Sequence, residues 1–180
     1  MIQKIGSVQI NFAEIQQQLS QMQPSSTTDS APEYNFLQQH GHTDIQLNNC
    51  RSYTNDKLVN FKYNGNCLVK YFPDEFLLQR SLDTEFKTVV ILSQPPGNFV
   101  APHYDQYKSS GFADKPVVRL WVPLEDSKFG QVFCVGDQVL SNFKAGDVYQ
   151  FDNPLHSSAN AGLDYRYTMV VYTTLKNVFN

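Results

Sequence analysis

The sequence predicts a mainly β chain: an antiparallel barrel or jelly roll with one or two helices on its N-terminal side. Three observations carry that expectation. Seven or eight short apolar segments follow one another over about ninety residues from position 86, punctuated by Gly-Asp, Gly-Leu-Asp and Asp-Asn-Pro, the pattern of strands joined by short turns. No segment of helical period separates them. Phe (13) and Tyr (10) are abundant, and both favour strands. With 180 residues and 41% of them hydrophobic, the chain can bury a core without disulfides or a structural metal.

Taken in order, residues 11–22, NFAEIQQQLSQM, read as a helix, because Phe12, Ile15, Leu19 and Met22 recur at helical spacing. Asn11 caps its first turn, with Glu14 three places on. Pro24 stops it, and residues 24–32 form a polar loop. Residues 33–66 have no clear period, and a second short helix is expected at 74–82, DEFLLQRSL, after Pro73. Strands are then expected at 86–94, 98–105, 116–124, 130–136, 138–143, 147–151 and 165–175, with a turn at Pro95-Pro96-Gly97. The whole, residues 1–180, reads as one domain, with 1–85 as helical and irregular support and 86–175 as the β core.

Composition narrows the partners. The formal charge of −3 and pI near 5.7 leave no basic face for a polyphosphate backbone. That argues against nucleic acid or an anionic membrane surface as the main partner. Cys50, Cys67 and Cys134 are odd in number and widely spaced, so reduced thiols and a cytoplasmic location are expected. The opening residues lack the apolar run of a signal peptide, and runs such as Val89 to Leu92 are far too short to span a bilayer.

The stretch GNFVAPHYDQYKSS holds His103-Tyr104-Asp105. A lone His-x-Asp is weak, since any His meets an Asp two places on by chance roughly one time in fifteen. A second copy, His42-Thr43-Asp44, occurs in a region without strand alternation. Context favours the pair at 103 and 105. It ends a strand-like segment, where Phe99, Ala101, His103 and Asp105 would share one face. One imidazole beside one carboxylate is two-thirds of the 2-His-1-carboxylate set that suits Fe(II). The third ligand should come from a later strand, and His156 is the one His after 105. Ten residues on stands Arg166, then Thr168 on the same strand face. A buried Arg needs an anionic partner, and a planar guanidinium with a hydroxyl beside it is a good carboxylate receptor.

Those residues resemble the pattern of the Fe(II)/2-oxoglutarate-dependent oxygenases: His-x-Asp/Glu, a distal His, then an Arg about ten residues later followed closely by Ser or Thr. His103, Asp105, His156, Arg166 and Thr168 match it, and the resemblance covers roughly residues 86–175. GDVYQFDNPLHSSAN is also similar to the second cupin motif, through Gly146, Pro154, His156 and Asn160. RLWVPLED, FDNPLHSSANAG and YRYTMVVY resemble the aspartyl/asparaginyl β-hydroxylase branch, with Arg119 and Asp152 in its places. Well-known members of that branch lack the acidic metal ligand, whereas this chain keeps Asp105, so the resemblance carries the reaction further than the substrate.

The resemblance implies a double-stranded β-helix (jelly-roll, cupin-like) fold. It implies Fe(II) held by His103, Asp105 and His156. It implies 2-oxoglutarate bound through its distal carboxylate to Arg166 and Thr168, and dioxygen as oxidant. Succinate, CO2 and a hydroxylated peptide side chain, amino acid or small metabolite would be the products. Arg119 shares a strand face with Trp121 and could grip a carboxylate of substrate or cosubstrate, or lie on the outer surface. Residues 106–116 could be a lid or an ordinary connection. Asn160 reads as a turn former ahead of a contact to substrate or to a metal ligand, and Trp121 as core or barrel wall ahead of a platform for stacking a ligand. Two other readings compete: a metal-dependent cupin enzyme that does not use 2-oxoglutarate, and a non-catalytic jelly-roll binding module.

Overall fold

The computed structural model describes residues 1–27, 60–104, 116–152 and 154–176. The N-terminal helix forms where the apolar spacing puts it. Helix α1 spans Phe12–Leu19, after strand β1 (Ile2–Ser7). Asn11 caps it, its Oδ1 accepting from the Glu14 backbone N–H at 3.3 Å. The helix ends three residues short of the expected Met22. Strands β2 (Ser25–Thr27) and β3 (Asn60–Asn64) follow, then a 3₁₀ helix (Asn66–Tyr71) and the short helix α2 (Asp74–Leu78).

Eight further strands build the core. They are β4 (Thr88–Gln94), β5 (Asn98–His103), β6 (Val117–Pro123), β7 (Gln131–Val135), β8 (Gln138–Leu140), β9 (Asp147–Phe151), β10 (His156–Asn160) and β11 (Arg166–Thr174). They divide between a seven-stranded sheet, in the order β1-β9-β6-β11-β4-β3-β2, and a four-stranded sheet, β5-β10-β7-β8. The pairings nest: β4 with β11, β5 with β10, β6 with β9, β7 with β8, all antiparallel. A long hairpin wound on itself in this way is a double-stranded β-helix, and the chain is a mainly β jelly roll with few helices.

Alternation along the strands sorts two cores. Trp121, Phe133, Val135, Tyr149, Phe151 and Val170 meet between the sheets, with the Trp121 and Phe133 rings stacked 4.6 Å apart. Their neighbours Leu120, Val122, Val148, Met169 and Val171 point the other way and are covered by Ile15, Leu19, Leu68, Phe72 and Leu77. Burying each such side chain contributes about 1.5–3 kcal/mol. Among the described residues no helix is long and apolar enough to cross a membrane.

Four strands were not expected. β1 joins the edge beside β9 through Ile2↔Phe151 and Lys4↔Tyr149. It has no apolar alternation, and a register shift at Gly6 breaks the pattern further. β2 and β3 extend the opposite edge within the region read as irregular. The fourth is β10, HSSAN, which carries no β-branched or aromatic residue. It is a strand because β5 and β7 bond it on both sides, so tertiary pairing overrides its weak propensity. The expected strand at 138–143 is shorter, ending at Leu140. Cys67 and Cys134 are free thiols; Cys50 lies outside the described residues.

Candidate metal and anion site

β5 and β10 bring two imidazoles together. His103 and His156 are directly opposed across the pair, with ring centroids 4.2 Å apart. The register slips by one residue between this rung and Ser158↔Val100, so β5 bulges at Ala101-Pro102. Pro102 has no N–H to give a ladder, which suits a bulge. The bulge corrects the face expected for β5. Val100 and Asn98 oppose Ser158 and Asn160, so Phe99 falls on the other face from His103. Asp105 lies outside the described residues, as do His42, Asp44 and residues 106–115.

His156 is 3% exposed and packs edge-on to Phe151 at 5.6 Å. Its Nε2 lies 2.9 Å from Arg119 Nη1, and its Nδ1 lies 3.0 Å from the Pro154 carbonyl oxygen. A guanidinium only donates, so Nε2 must be the bare nitrogen and Nδ1 carries the proton to Pro154. The ring is therefore neutral and its lone pair faces inward, the state a metal ligand requires. Arg119 faces the interior and not the surface. It is buried, with its guanidinium over the Phe151 ring at 4.6 Å and the Tyr172 ring at 5.8 Å, both favourable cation–π distances.

Arg166 and Thr168 alternate with the outward Tyr167 and Met169 on β11, so they face between the sheets, 6% and 1% exposed. Arg166 crosses the interior from the seven-stranded sheet to the four-stranded one. Its Nη1 donates to the Val132 carbonyl at 2.7 Å and approaches that of Ala159 at 3.5 Å. Its Nε is buried without a hydrogen-bond partner. Among the described residues no carboxylate lies within ion-pair distance of it. Burial pushes its pKa down to about 10, which leaves it charged at neutral pH. A buried, charged group with open donors is costly by several kcal/mol unless something anionic completes it.

Sequence reasoning missed Gln94 and the contacts made by Pro154 and Phe151. Gln94 is the register partner of Arg166, and its side-chain Nε2 donates to the Asn98 and Ser158 carbonyls at 3.2 and 3.4 Å. Its buried Oε1 has no partner. A polar residue closing the apolar run TVVILSQ was the available signal. Pro154 fixes the His156 tautomer through its carbonyl, and Phe151 holds Arg119; neither role leaves a sequence signal. Asn160, fully buried, ties a turn as expected: its Nδ2 donates to the Gln94 and Asp164 carbonyls and its Oδ1 accepts from Gly162.

Two imidazoles side by side, with a carboxylate two residues beyond one of them in sequence, are a donor mixture that borderline cations such as Fe(II) accept; among the described residues no three such donors are gathered.

No protein-family model matches the sequence, and no curated protein matches it. Solved structures do. A predicted oxalate decarboxylase from Thermotoga maritima is 17% identical, with a TM-score of 0.40 over 65% of this chain and 82% of that one. The cupin domain of an XRE-family transcriptional regulator from Enterobacter cloacae is 10% identical, with a TM-score of 0.40 over 63% and 94%. A cupin-superfamily sugar phosphate isomerase from Silicibacter pomeroyi is 15% identical, with a TM-score of 0.35 over 48% and 50%. Enzymes and a regulator stand side by side among these loose matches, so no activity is read from them; the strand pairing above is what defines the double-stranded β-helix here.

Proposed function

We propose that this protein is an Fe(II)- and 2-oxoglutarate-dependent dioxygenase that hydroxylates a peptide side chain, an amino acid or a small metabolite. The observation that carries the reading is Arg166: a buried guanidinium whose Nε has no partner, on the inner wall of a jelly roll that also holds paired imidazoles. His103, Asp105 and His156 would hold the iron. Iron, 2-oxoglutarate and dioxygen together supply the oxidising power that side chains lack, giving succinate, CO2 and a hydroxylated product.

The chain's own residues bind and orient. Arg166 receives the distal carboxylate of 2-oxoglutarate on its open Nε edge, and Thr168 adds a hydroxyl beside it. The carbonyls that hold Arg166 belong to the rung Ala159↔Val132, three residues along β10 from the rung His156↔Val135. That is about 10 Å of strand, the reach of a five-carbon dicarboxylate whose ends meet a metal and a guanidinium. Arg119 offers a second cation close to the imidazoles for a carboxylate of cosubstrate or substrate. Phe133, Phe151 and Trp121 fill the neighbouring interior and exclude water, which strengthens each of these charge contacts.

The test is Arg166→Ala. It should weaken 2-oxoglutarate binding by a hundredfold or more while leaving Mn(II) binding nearly unchanged, both read by calorimetry. Unchanged cosubstrate affinity would remove Arg166 from the site. A second reading, a non-catalytic jelly roll that binds anions, is favoured by one contact: the His156 lone pair is engaged by Arg119. Such a module would bind carboxylates without a stoichiometric metal. A metal-dependent cupin enzyme that does not use 2-oxoglutarate leaves Arg166 and Thr168 without a task.

A further inference from the structure

We propose that Arg119 competes with the metal for His156, and that a carboxylate ligand lifts this competition, so that metal and acid binding are coupled through one guanidinium. The inference rests on the assignment of His156 as a metal ligand.

A neutral imidazole has one lone pair. At His156 the Nδ1 proton is committed to the Pro154 carbonyl, so the lone pair is on Nε2, and Arg119 Nη1 occupies it at 2.9 Å. One lone pair cannot serve both an N–H and a metal ion. Arg119 must therefore move before His156 can ligate. It cannot move far. Its strand position is fixed by the rungs Tyr172↔Arg119 and Arg119↔Phe151, and its guanidinium lies on the faces of those same two rings. The displaced cation would stay within a few ångströms of a divalent ion, in an interior where like charges repel strongly.

A carboxylate changes the sign of that interaction. Placed between the two cations, it accepts from the Arg119 N–H groups and faces the metal with its other oxygen. The hydrogen bond lost at His156 is replaced by a charge-assisted one. An acid therefore tightens metal binding by more than its own chelation, and by linkage the metal tightens acid binding equally. A protein built this way holds metal weakly until the acid arrives.

The test is Mn(II) affinity, read from the electron paramagnetic resonance signal of free Mn(II) and so independent of turnover. Wild type, Arg119→Met and Arg119→Lys are titrated first alone and then with saturating 2-oxoglutarate. Met keeps the length and the packing on Phe151 without the charge. Arg119→Met should bind Mn(II) alone at least tenfold tighter than wild type, equivalent to about 1.4 kcal/mol. Arg119→Lys, which keeps a charge, should stay close to wild type. 2-Oxoglutarate should tighten Mn(II) by a larger factor in wild type than in Arg119→Met. If both proteins bind Mn(II) and Arg119→Met binds no tighter, the competition is refuted while the metal site stands. If neither binds Mn(II), the metal reading falls and this inference falls with it. Wild type alone provides a check that needs no variant. In ¹⁵N spectra, Zn(II) should shift the His156 Nε2 and Arg119 side-chain signals together, and an arginine signal unmoved at saturation would refute the displacement.

Discussion

Arg166 and His156 are the residues whose surroundings constrain function most. One is a buried cation with an open donor, the other a neutral ring with its proton pinned outward. The proposed function assigns Asp105 to the metal beside them. Asp105→Ala should abolish turnover and weaken Fe(II) binding by one to two orders of magnitude, measured as succinate release and iron content. His42→Ala, which breaks the competing His-x-Asp, should leave both assays at wild-type values, and loss of iron there would transfer the site to that motif. At this scale the sequence was informative where spacing along one strand decides geometry. Parity along the strand put Arg166 and Thr168 on one face, and both are buried on the same face of β11. It was uninformative where residues meet across strands. The Arg166↔Gln94 rung depends on β11–β4 register, and the face of His103 depends on a bulge whose only sequence signal is Pro102.

At the scale of elements, the N-terminal strand is fastened onto the core sheet by a few specific contacts. Gly146 has φ +78°, and a Cβ there would sit 2.1 Å from the Val8 carbonyl oxygen, whose own N–H donates to the Gly146 carbonyl at 2.8 Å. Gly146→Ala should therefore destabilise by about 2 kcal/mol or more, a fall in Tm of roughly 4–8 °C, and a Tm within one degree of wild type would show that the β1 connection yields freely. Lys4 bonds Asp147 at 2.6 Å, and the Tyr149 hydroxyl donates to the same carboxylate at 3.1 Å. Burial, then the Asp147 charge, pushes the Tyr149 pKa up to about 12. The folded state thus keeps a proton that the unfolded chain loses near pH 10. Its contribution is complete below pH 10 and is lost as pH rises towards 12. Tyr149→Phe should flatten the fall in stability over that window in denaturant titrations; an unchanged slope would mean the hydroxyl does not titrate there. β10 escaped the sequence because HSSAN has neither alternation nor propensity, yet it holds His156 at the centre of its sheet.

At the scale of the molecule, nesting the first core strand on the last and the second on the seventh is what assembles the site. It brings His103 beside His156 across fifty residues of chain and sets Arg166 three rungs deeper in the same interior. The jelly-roll class was legible because strand-sized segments, aromatic content and turn residues all agreed. The edge strands β1 and β2 were not, since neither carries an alternating apolar pattern, and β3 between β2 and β4 alternates through only Phe61 and Tyr63. The proposed function requires this interior to bind iron and 2-oxoglutarate together. Anaerobic titration of the Fe(II)-loaded protein with 2-oxoglutarate tests it most directly, by following the weak visible charge-transfer band of the chelate. The band should grow and saturate near one equivalent, and be lost in Arg166→Ala at the same concentrations. Fe(II) bound without any band would contradict the 2-oxoglutarate assignment, and failure to bind Fe(II) at all would contradict the metal site itself.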